Sequence, residues 1–496
     1  MAKMSPAPSV LLQQGDETDH LRIAESARTL TGPFGGMAAL RAWFDGLTQA
    51  DRTTVTRIAL DDLTGWSSDP DTGNIGHASG KFFVVEGLEV NVPGAPVPAW
   101  TQPIINQAEI GILGILVKEF DGVLHCLMQA KMEPGNCNGA QLSPTVQATK
   151  SNYTKVHQGA SVPYLEYFVD TRDHRVLADV LQSEQGSWFY HKRNRNMVVE
   201  VDDDVELLDG FHWATLGQLY QLLHEDNLVN MDARTVMSCL PFSGDGLVAA
   251  LPPTDDEFPS AIARSCDGEQ GSLHRTKEIL GWITDARTRN EVRTTRMPLN
   301  EVRDWQRSAT TISHDTGLFF NVIAVEVTAD NREVRQWTQP MIEPTDTAIV
   351  AFLVKRINGV LHLLVHARVE PGYLDVVELA PTVQCAPSNY ARMAPSDRPR
   401  FLDEVLNARP DRIRFATMLS EEGGRFYHAE NRYLIVETDA DYDLSTDPDF
   451  RWVTLHQLVG LLRHSHYVNV QARSLIACLN SLASTPHGRG VRPDTR

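Results

Sequence analysis

The segment SPTVQATKSNY, Ser143–Tyr153, returns as the near copy APTVQCAPSNY at Ala380–Tyr390, 237 residues further along the chain. Each copy mixes hydroxyls, amides and a tyrosine with a lone valine. This composition fits neither an amphipathic helix nor a half-buried strand. A polar segment that contributes little to a core, yet occurs twice, raises the question of how the whole chain is organised.

Four further motifs recur at the same spacing. They are WTQP at 100–103 and 337–340, GVLH at 122–125 and 359–362, EPG at 133–135 and 370–372, and FYH at 189–191 and 426–428. Beyond this block the spacing becomes 239, as Asn230 matches Asn469 and Arg234 matches Arg473. A period this long indicates a duplicated domain rather than a solenoid.

The duplication predicts the domain limits. Two repeats cover 36–240 and 275–480, after an N-terminal extension at 1–35. The intervening segment 241–274 is rich in Pro, Gly, Ser and acidic residues, which is typical of a linker. Residues 481–496 are expected to form a loose tail.

Both repeats show the same order of predicted elements. Apolar residues at helical spacing, Met37 to Leu47, open the first copy, and a hairpin follows. Asp121-Gly122 and Asn358-Gly359 lie between apolar runs, as in a two-residue hairpin turn. Later helices are expected from Thr215, as a cap, and over 232–240. We therefore predict an α+β fold with a mixed sheet flanked by helices in each repeat.

The composition restricts the partners and the compartment. The 496 residues carry a formal charge of −19, which argues against nucleic acid or an anionic membrane as main partner. No run approaches the length of a membrane span, and residues 1–20 lack the apolar core of a signal peptide. The six cysteines are scattered without a CxxC pair, so we expect no disulfide framework and no zinc site. A cytoplasmic protein is the expectation.

The repeated polar segment has two interpretations. It is either a surface loop whose two copies resemble each other by descent, or part of a ligand pocket. Its hydroxyls and amides can bond a sugar or a pyrimidine edge, and Tyr153 can stack. Lys150 and Lys155 flank the tyrosine and can meet a diphosphate. A pocket for a nucleotide sugar fits this mixture of residues, but composition alone does not favour that ligand over many others.

The motifs WTQP, EPG, PTVQ, SNY and FYH, carried in tandem over about 36–480, resemble those of the NDP-hexose 2,3-dehydratases of deoxysugar biosynthesis. The resemblance implies a Nudix-like fold in each half, a homodimer, and a dTDP-sugar pocket in each half, of which one is catalytic. It also implies dTDP-4-keto-6-deoxy-D-glucose as substrate, a partner C3-ketoreductase, and a place in antibiotic biosynthesis.

A departure from the wider Nudix superfamily bears on the reaction. That superfamily holds Mg²⁺ with the glutamates of an REXXEE helix, and neither AKMEPG nor ARVEPG is followed by such a cluster. The sequence therefore favours a lyase without a metal over a Nudix-type sugar-nucleotide hydrolase. The glycine fingerprint of a dinucleotide-binding site is missing too. Removing water from a sugar requires no redox cofactor, so we expect no cofactor. A non-catalytic sugar-nucleotide binding protein remains the other alternative.

The proposed elimination needs a base for the C3 proton, an acid for the C2 hydroxyl, and donors near the enolate oxygen. Glu133 is a candidate base, or else a turn carboxylate. His157 suits proton transfer and becomes Ala394 in the second copy, although a surface histidine is the simpler interpretation. Tyr153 is a candidate acid or oxyanion donor, or else a binding residue.

The remaining candidates are assigned to two pockets. The first is expected to bind the dTDP-sugar through Trp100, Gln102, Thr145, Gln147, Lys150, Ser151, Asn152, Lys155 and Arg195. The second is expected to be a remnant and would comprise Trp337, Gln339, Thr382, Gln384, Ser388, Asn389, Tyr390, Arg392 and Arg432. Lys150, Lys192 and Arg193 make the first repeat more basic than the second, so we predict that the first pocket is the active one.

Overall fold

A computed structural model describes residues 18–149, 162–251, 256–329, 335–445 and 447–484. The helices are α1 (Asp19–Arg28), α2 (Met37–Ala50), α3 (Glu166–Val169), α4 (Leu216–Leu222), α5 (Met231–Ser238), α6 (Leu247–Ala250), α7 (Glu257–Cys266), α8 (Thr276–Arg289), α9 (Leu402–Leu406), α10 (Leu455–Leu462) and α11 (Val470–Ser484). Short 3₁₀ turns cover Leu60–Asp62, Leu299–Glu301, Pro387–Tyr390, Pro395–Asp397 and Pro410–Arg412.

Each repeat contains a large mixed sheet. The first is built from β8 (Gly111–Phe120), β9 (Val123–Met132), β10 (Ala140–Ser143), β11 (Val146–Ala148), β12 (Arg175–Ser183), β14 (Arg193–Glu200) and β15 (Phe211–Thr215). The second is built from β21 (Ala348–Ile357), β22 (Val360–Val369), β23 (Val377–Ala380), β24 (Val383–Cys385), β25 (Ile413–Ser420), β26 (Glu430–Glu437) and β27 (Phe450–Val453). Strands β8 and β14 run parallel, as do β21 and β26, and the other pairs are antiparallel. The predicted α+β architecture with duplicated mixed sheets is confirmed.

Two smaller sheets complete the repeats and exchange a strand. One contains β4 (Trp66–Ser68), β5 (Ile75–His77), β6 (Val84–Asn91), β7 (Ala99–Asn106), β13 (Phe189–Tyr190) and, from the second repeat, β16 (Arg293–Met297). The other contains β17 (Trp305–Arg307), β18 (Thr311–His314), β19 (Phe320–Thr328), β20 (Gln336–Pro344) and, from the first repeat, β3 (Thr54–Ile58). A separate pair joins β1 (Thr31–Gly32) to β2 (Gly35–Gly36). Because β16 pairs with β6 and β3 pairs with β19, neither repeat is complete without the other.

Local signals behave as the sequence predicts. Asp121 and Gly122 have φ of 51° and 79°, and Asn358 and Gly359 have 51° and 80°, so both turns take the left-handed backbone of a type I′ hairpin. Thr215 closes a capping box at the start of α4, since its side chain accepts from the Gln218 amide.

The described part of the polar segment, residues 143–149, belongs largely to the first large sheet. Ser143 ends β10 and Val146–Ala148 form β11, with Pro144 and Thr145 between them. The Thr145 hydroxyl accepts from the Leu116 amide at 2.8 Å and donates to the Leu127 carbonyl at 2.5 Å. It thereby bonds the main chains of β8 and β9 at the point where β11 joins β8. The threonine therefore has a structural role in the sheet, because buried backbone groups need hydrogen-bond partners.

The predicted extension and linker are also more ordered than expected. Helix α1 packs against β9 and α7 packs against β22, so segments outside 36–240 and 275–480 take equivalent places. Ser26 on α1 donates to the Leu124 carbonyl, and Ser265 on α7 donates to the Leu361 carbonyl. The linker prediction rested on Pro, Gly, Ser and acidic residues, which did not reveal a helix that is stabilised by packing on the second large sheet.

The two repeats share one continuous apolar core. Helix α5 packs on the first large sheet, α11 packs on the second, and the two helices pack against each other. Two fully buried arginines cross this contact, where Arg234 donates to the Ser420 carbonyl and Arg473 donates to the Ser183 carbonyl, both at 2.6 Å. Within the described ranges, none of the helices is long and apolar enough to cross a membrane.

Candidate functional site

Two cavities lie where the repeats meet, and each takes side chains from both. The first cavity, about 750 Å³, is lined in part by Trp66, His77, Lys131, Glu133, Gln147, Glu184, Lys192, Asn194 and Asp232 of the first repeat and Trp337, Gln339, Glu422 and Arg425 of the second. The second cavity, about 580 Å³, is lined in part by Trp305, His314, Arg368, Glu370, Gln384, Asn389, Tyr390, Asn431 and Gln471 of the second repeat and Trp100, Gln102, Gln185 and Trp188 of the first. Both volumes suit a small organic ligand.

The WTQP motifs line the opposite cavities from those predicted. Trp100 and Gln102 belong to the second cavity, whereas Trp337 and Gln339 belong to the first. The Gln102 amide donates to the Ser187 carbonyl at 2.8 Å, and the Gln339 amide donates to the Gly424 carbonyl at 2.7 Å. Ser187 and Gly424 lie in loops that contact the other repeat. Each WTQP motif therefore lines the same cavity as the loop to which its glutamine donates.

Interlocking turns hold those loops. The Gly135 amide of the first EPG donates to the Gly423 carbonyl, and the Gly372 amide of the second donates to the Gly186 carbonyl, both at 2.7 Å. The His428 amide donates to the Gly135 carbonyl at 2.9 Å, and the exchange is repeated between His191 and Gly372. The EPG and FYH motifs therefore recur because they join the two repeats across each cavity.

One carboxylate arrangement is common to both cavities. Glu133 accepts from the Gln147 amide at 2.9 Å and forms an ion pair with Lys131 at 3.3 Å. In the second cavity, Glu370 accepts from Gln384 at 3.0 Å and pairs with Arg368 at 2.8 Å. Glu133 and Gln147, which the sequence offers as separate candidates for the first pocket, therefore lie in contact, beside a cation that sequence reasoning did not single out.

Two carboxyl groups distinguish the first cavity from the second. Asp232 at the start of α5 corresponds to Gln471 at the start of α11, and Glu422 corresponds to Gln185. Asp232 is 3% exposed, and its Oδ1 is buried without a hydrogen-bond partner. The second cavity therefore holds neutral amides where the first holds ionisable groups.

A third carboxyl group differs by its partners. Glu421 accepts from Gln185, Asn431 and Tyr433 at 2.6, 2.7 and 2.8 Å. Its counterpart Glu184 accepts from Asn194 at 2.7 Å, while its Oε2 is buried without a partner. The same backbone position is thus fully hydrogen-bonded beside the second cavity and only partly so in the first.

Burial in this group favours protonated carboxyls. The pKa of Glu422 is raised to about 7, chiefly by burial, with Glu133 and Glu184 adding negative charge. Burial, together with Glu184, Glu133 and Glu422, raises the pKa of Asp232 well above its ordinary value. Burial likewise raises the pKa of Glu184. Carboxyls that can hold a proton near neutrality are suited to proton transfer.

Cations are also concentrated in the first cavity. Lys192 donates to the Glu109 carbonyl at 2.5 Å, and burial lowers its pKa to about 8. The Arg425 guanidinium lies 4.6 Å from the Phe83 ring centroid. At the repeat spacing, the counterpart of Lys192 is Ala429 in the second repeat, and the counterpart of Arg425 is Trp188 in the first. The first cavity can therefore attract an anionic ligand more strongly.

Several predicted residues lie away from the cavity linings. Thr382 repeats the structural role of Thr145, since its hydroxyl bonds Leu353 and Leu364 of the second large sheet. Arg195 pairs with Asp179 at 2.6 Å in a separate surface groove, and Arg392 and Arg432 are exposed. These side chains are not among the residues that line the two cavities, and the strand pattern did not show which face each strand turns to its cavity.

The remaining predicted residues divide into two groups. Asn389 and Tyr390 line the second cavity, and Ser388 beside them has a buried hydroxyl without a partner. Lys150, Ser151, Asn152, Tyr153, Lys155 and His157 fall outside the described residues.

Sequence reasoning missed Asp232, Glu184, Glu422, Lys131 and Arg425. The Asp232–Gln471 and Gln185–Glu422 differences were visible at the repeat spacings, but neither position lies in a motif. In the part of the chain that the structure describes, no three His, Cys, Asp or Glu side chains gather as a metal site, and the six cysteines are free thiols.

Comparisons with known proteins agree with the duplication and identify the family. The family model for NDP-hexose 2,3-dehydratase matches twice, over residues 37–240 and 276–479. The chain is 53% identical over 461 residues to a dTDP-4-dehydro-6-deoxy-alpha-D-glucopyranose 2,3-dehydratase of Saccharopolyspora spinosa, covering 93% of this chain and 95% of the relative. Relatives with the same description from Amycolatopsis orientalis and Streptomyces violaceoruber are 50% and 48% identical, covering 94% and 90% of this chain and 95% and 97% of their own lengths. The chain therefore belongs to the NDP-hexose 2,3-dehydratase family and is an enzyme that removes water from a nucleotide-linked sugar.

Proposed function

We propose that the protein converts dTDP-4-keto-6-deoxy-D-glucose into the 3,4-diketo-2,6-dideoxy sugar nucleotide, and that the first cavity is its active site. The relatives carry this sugar in their names. The observation that supports the choice of cavity is its group of buried carboxyls, of which Asp232 and Glu422 are replaced in the second cavity by the amides Gln471 and Gln185.

The chemistry follows from the C4 ketone of the substrate. The ketone acidifies the C3 proton, a base removes it, and the resulting enolate expels the C2 hydroxyl as water once an acid supplies a proton. The enol product then takes up a proton at C2 and loses one from its C3 hydroxyl. No electron is gained or lost overall, so proton donors and acceptors in the cavity wall are sufficient.

The cations provide the binding side of the proposal. Lys131, Lys192 and Arg425 can neutralise the diphosphate, while Trp66 and Trp337 offer aromatic faces to the base or sugar. Glu133, held by Lys131 and Gln147, remains the candidate base. His157 remains a candidate for proton transfer, and Tyr153 a candidate acid or oxyanion donor. The second cavity, with Arg368 and Tyr390 in its wall, would bind a similar ligand without turning it over.

A product analysis tests the assignment. Incubation with dTDP-4-keto-6-deoxy-D-glucose, with and without a chelator, should give a nucleotide-linked sugar lighter by one water in both cases. Release of thymidine monophosphate only when Mg²⁺ is present would instead identify a hydrolase. Unchanged substrate would identify a binding protein.

The product chemistry leads to a wider proposal. A 3,4-diketone is reactive, so a C3-ketoreductase should consume it directly in a deoxysugar pathway for an antibiotic in the cytoplasm. The enzyme would act as a homodimer. Light scattering of the purified chain should give about twice the monomer mass, and a monomer mass would contradict this part.

A further inference from the structure

We propose that Asp232 is the general acid of the dehydration and protonates the C2 hydroxyl as it leaves. The inference rests on the proposed function, and it deepens it by assigning one of the two proton transfers to a residue that no sequence motif contains.

The position of Asp232 is fixed by the start of α5. The Asn230 side chain caps this helix by accepting from the Ala233 amide at 2.8 Å. Asp232 follows within the first turn, with 3% of its surface exposed, and it lines the first cavity. The side chain is therefore held by a capped helix and reaches a ligand-sized space.

The surroundings of Asp232 favour a neutral carboxylic acid. Among the described residues Asp232 forms no ion pair, and its Oδ1 is buried without a donor. The charged side chains that line the same cavity are Lys131, Glu133, Glu184, Lys192, Glu422 and Arg425. Lys131 is engaged by Glu133 at 3.3 Å, and Lys192 donates to the Glu109 carbonyl. A buried carboxyl without its own cation, near three others, keeps its proton.

A neutral carboxyl group has one O–H donor, which is what the leaving hydroxyl requires. In the proposed step the enolate re-forms the C4 ketone, the C2–O bond breaks, and the proton moves from Asp232 to the departing oxygen. The products are an enone, a water molecule and the Asp232 carboxylate, which regains its proton from solvent before the next turnover. The step balances without a cofactor or a metal.

The second repeat supplies an internal comparison. Gln471 is the second residue of α11, as Asp232 is the second residue of α5. It lines the second cavity and is 5% exposed. An amide cannot transfer a proton in this way. The substitution therefore removes the acid while keeping a polar side chain at the same place.

Deuterium exchange separates the two proton transfers. Asp232→Asn should lower water loss from dTDP-4-keto-6-deoxy-D-glucose at least ~100-fold, the range of general acid catalysis. In D₂O the variant should still exchange the C3 hydrogen, seen by NMR, within a few-fold of the wild-type rate of C3–H cleavage. Asp209→Asn, which changes an exposed carboxyl, should behave as wild type.

A substrate with a better leaving group provides the second measurement. The 2-deoxy-2-fluoro analogue releases fluoride with little need of an acid, so Asp232→Asn should process it within about 5-fold of wild type. Recovery on the fluoro sugar would also show that the variant is folded. Loss of C3 exchange together with water loss, or equal defects on both substrates, would overturn the assignment, as would normal dehydration. If wild type itself fails to release water, it is the proposed function that fails.

Discussion

At the scale of single residues, the two repeats act as controls for each other. Glu133 and Glu370 have the same kinds of partner, so their shared arrangement does not explain a difference between the cavities. Asp232 and Glu422, by contrast, correspond to the amides Gln471 and Gln185 in the second cavity. Because a buried carboxyl costs stability that an amide does not, retaining two of them in one cavity indicates a functional demand there.

The stability of Glu422→Gln should depend on pH. The folded-state pKa of Glu422 is raised to about 7 from 4.5, so its stabilising contribution is full below pH 4.5 and is lost as the pH rises through 7. Removing the group should therefore raise the free energy of unfolding at pH 8, by on the order of 1 kcal/mol, and lower turnover. Urea denaturation at pH 5 and pH 8 measures the difference. The reverse change, Gln185→Glu, should destabilise at pH 8, and equal effects at both pH values would contradict the explanation.

Ligand binding should report the charge of Lys192. Its pKa, lowered to about 8 by burial, means that the ammonium form declines between pH 7 and pH 9. Affinity for thymidine diphosphate should therefore fall about 10-fold over this range, as the protonated fraction falls. Titration calorimetry of Lys192→Ala should show weaker binding with this pH dependence reduced. Lys277→Ala, on the exposed side of α8, is the control, and an unchanged pH dependence in Lys192→Ala would contradict the assignment.

At the scale of elements, the two repeats meet across each cavity through turns, those of the EPG and FYH segments, rather than through paired strands. A Cβ atom added at Gly135 would lie 1.7 Å from the Phe426 carbonyl oxygen, and one at Gly372 would lie 1.8 Å from the Phe189 oxygen. His191 and His428 follow with φ of 52° and 47°. The main chains of the EPG and FYH segments approach too closely for any side chain, which explains the glycine in both copies.

A single methyl group tests this contact. Gly135→Ala should lower the free energy of unfolding by about 2–4 kcal/mol or prevent folding, since backbone cannot move aside as a side chain does. Gly46→Ala is the matched control. It lies on the exposed face of α2 with open space around it, and the alanine should add about 0.5–1 kcal/mol of stability from helix propensity. Thermal unfolding of both variants gives the comparison, and similar melting temperatures would contradict it.

At the scale of the whole molecule, the repeats form one functional unit. Strands β3 and β16 are exchanged, the arginines of α5 and α11 cross between repeats, and both cavities are composite. The first repeat alone would lack Trp337, Gln339, Glu422 and Arg425 from its cavity. Duplication has therefore produced two unequal sites that depend on each other for their walls.

Separated halves test this dependence. The fragments 1–255 and 256–496 should each be inactive alone, because the first cavity loses one wall and each small sheet loses a strand. Coexpression of the two should restore dehydration, since the exchanged strands give the fragments a large apolar contact. Activity in fragment 1–255 alone would show that the first repeat is self-sufficient.

The sequence by itself determined the duplication, the Asp-Gly and Asn-Gly hairpins and the Thr215 cap. These features depend on backbone preferences within a few residues or on comparison of the copies. Only the tertiary structure decided which WTQP motif lines which cavity, and that Asp232, Glu184 and Glu422 all line the first cavity. Both copies carry the same strand pattern. The pattern therefore does not show whether a strand pairs within its own repeat or with the other repeat. Packing of the whole chain selects the partner, and the burial that shifts the carboxyl pKa values follows from that selection.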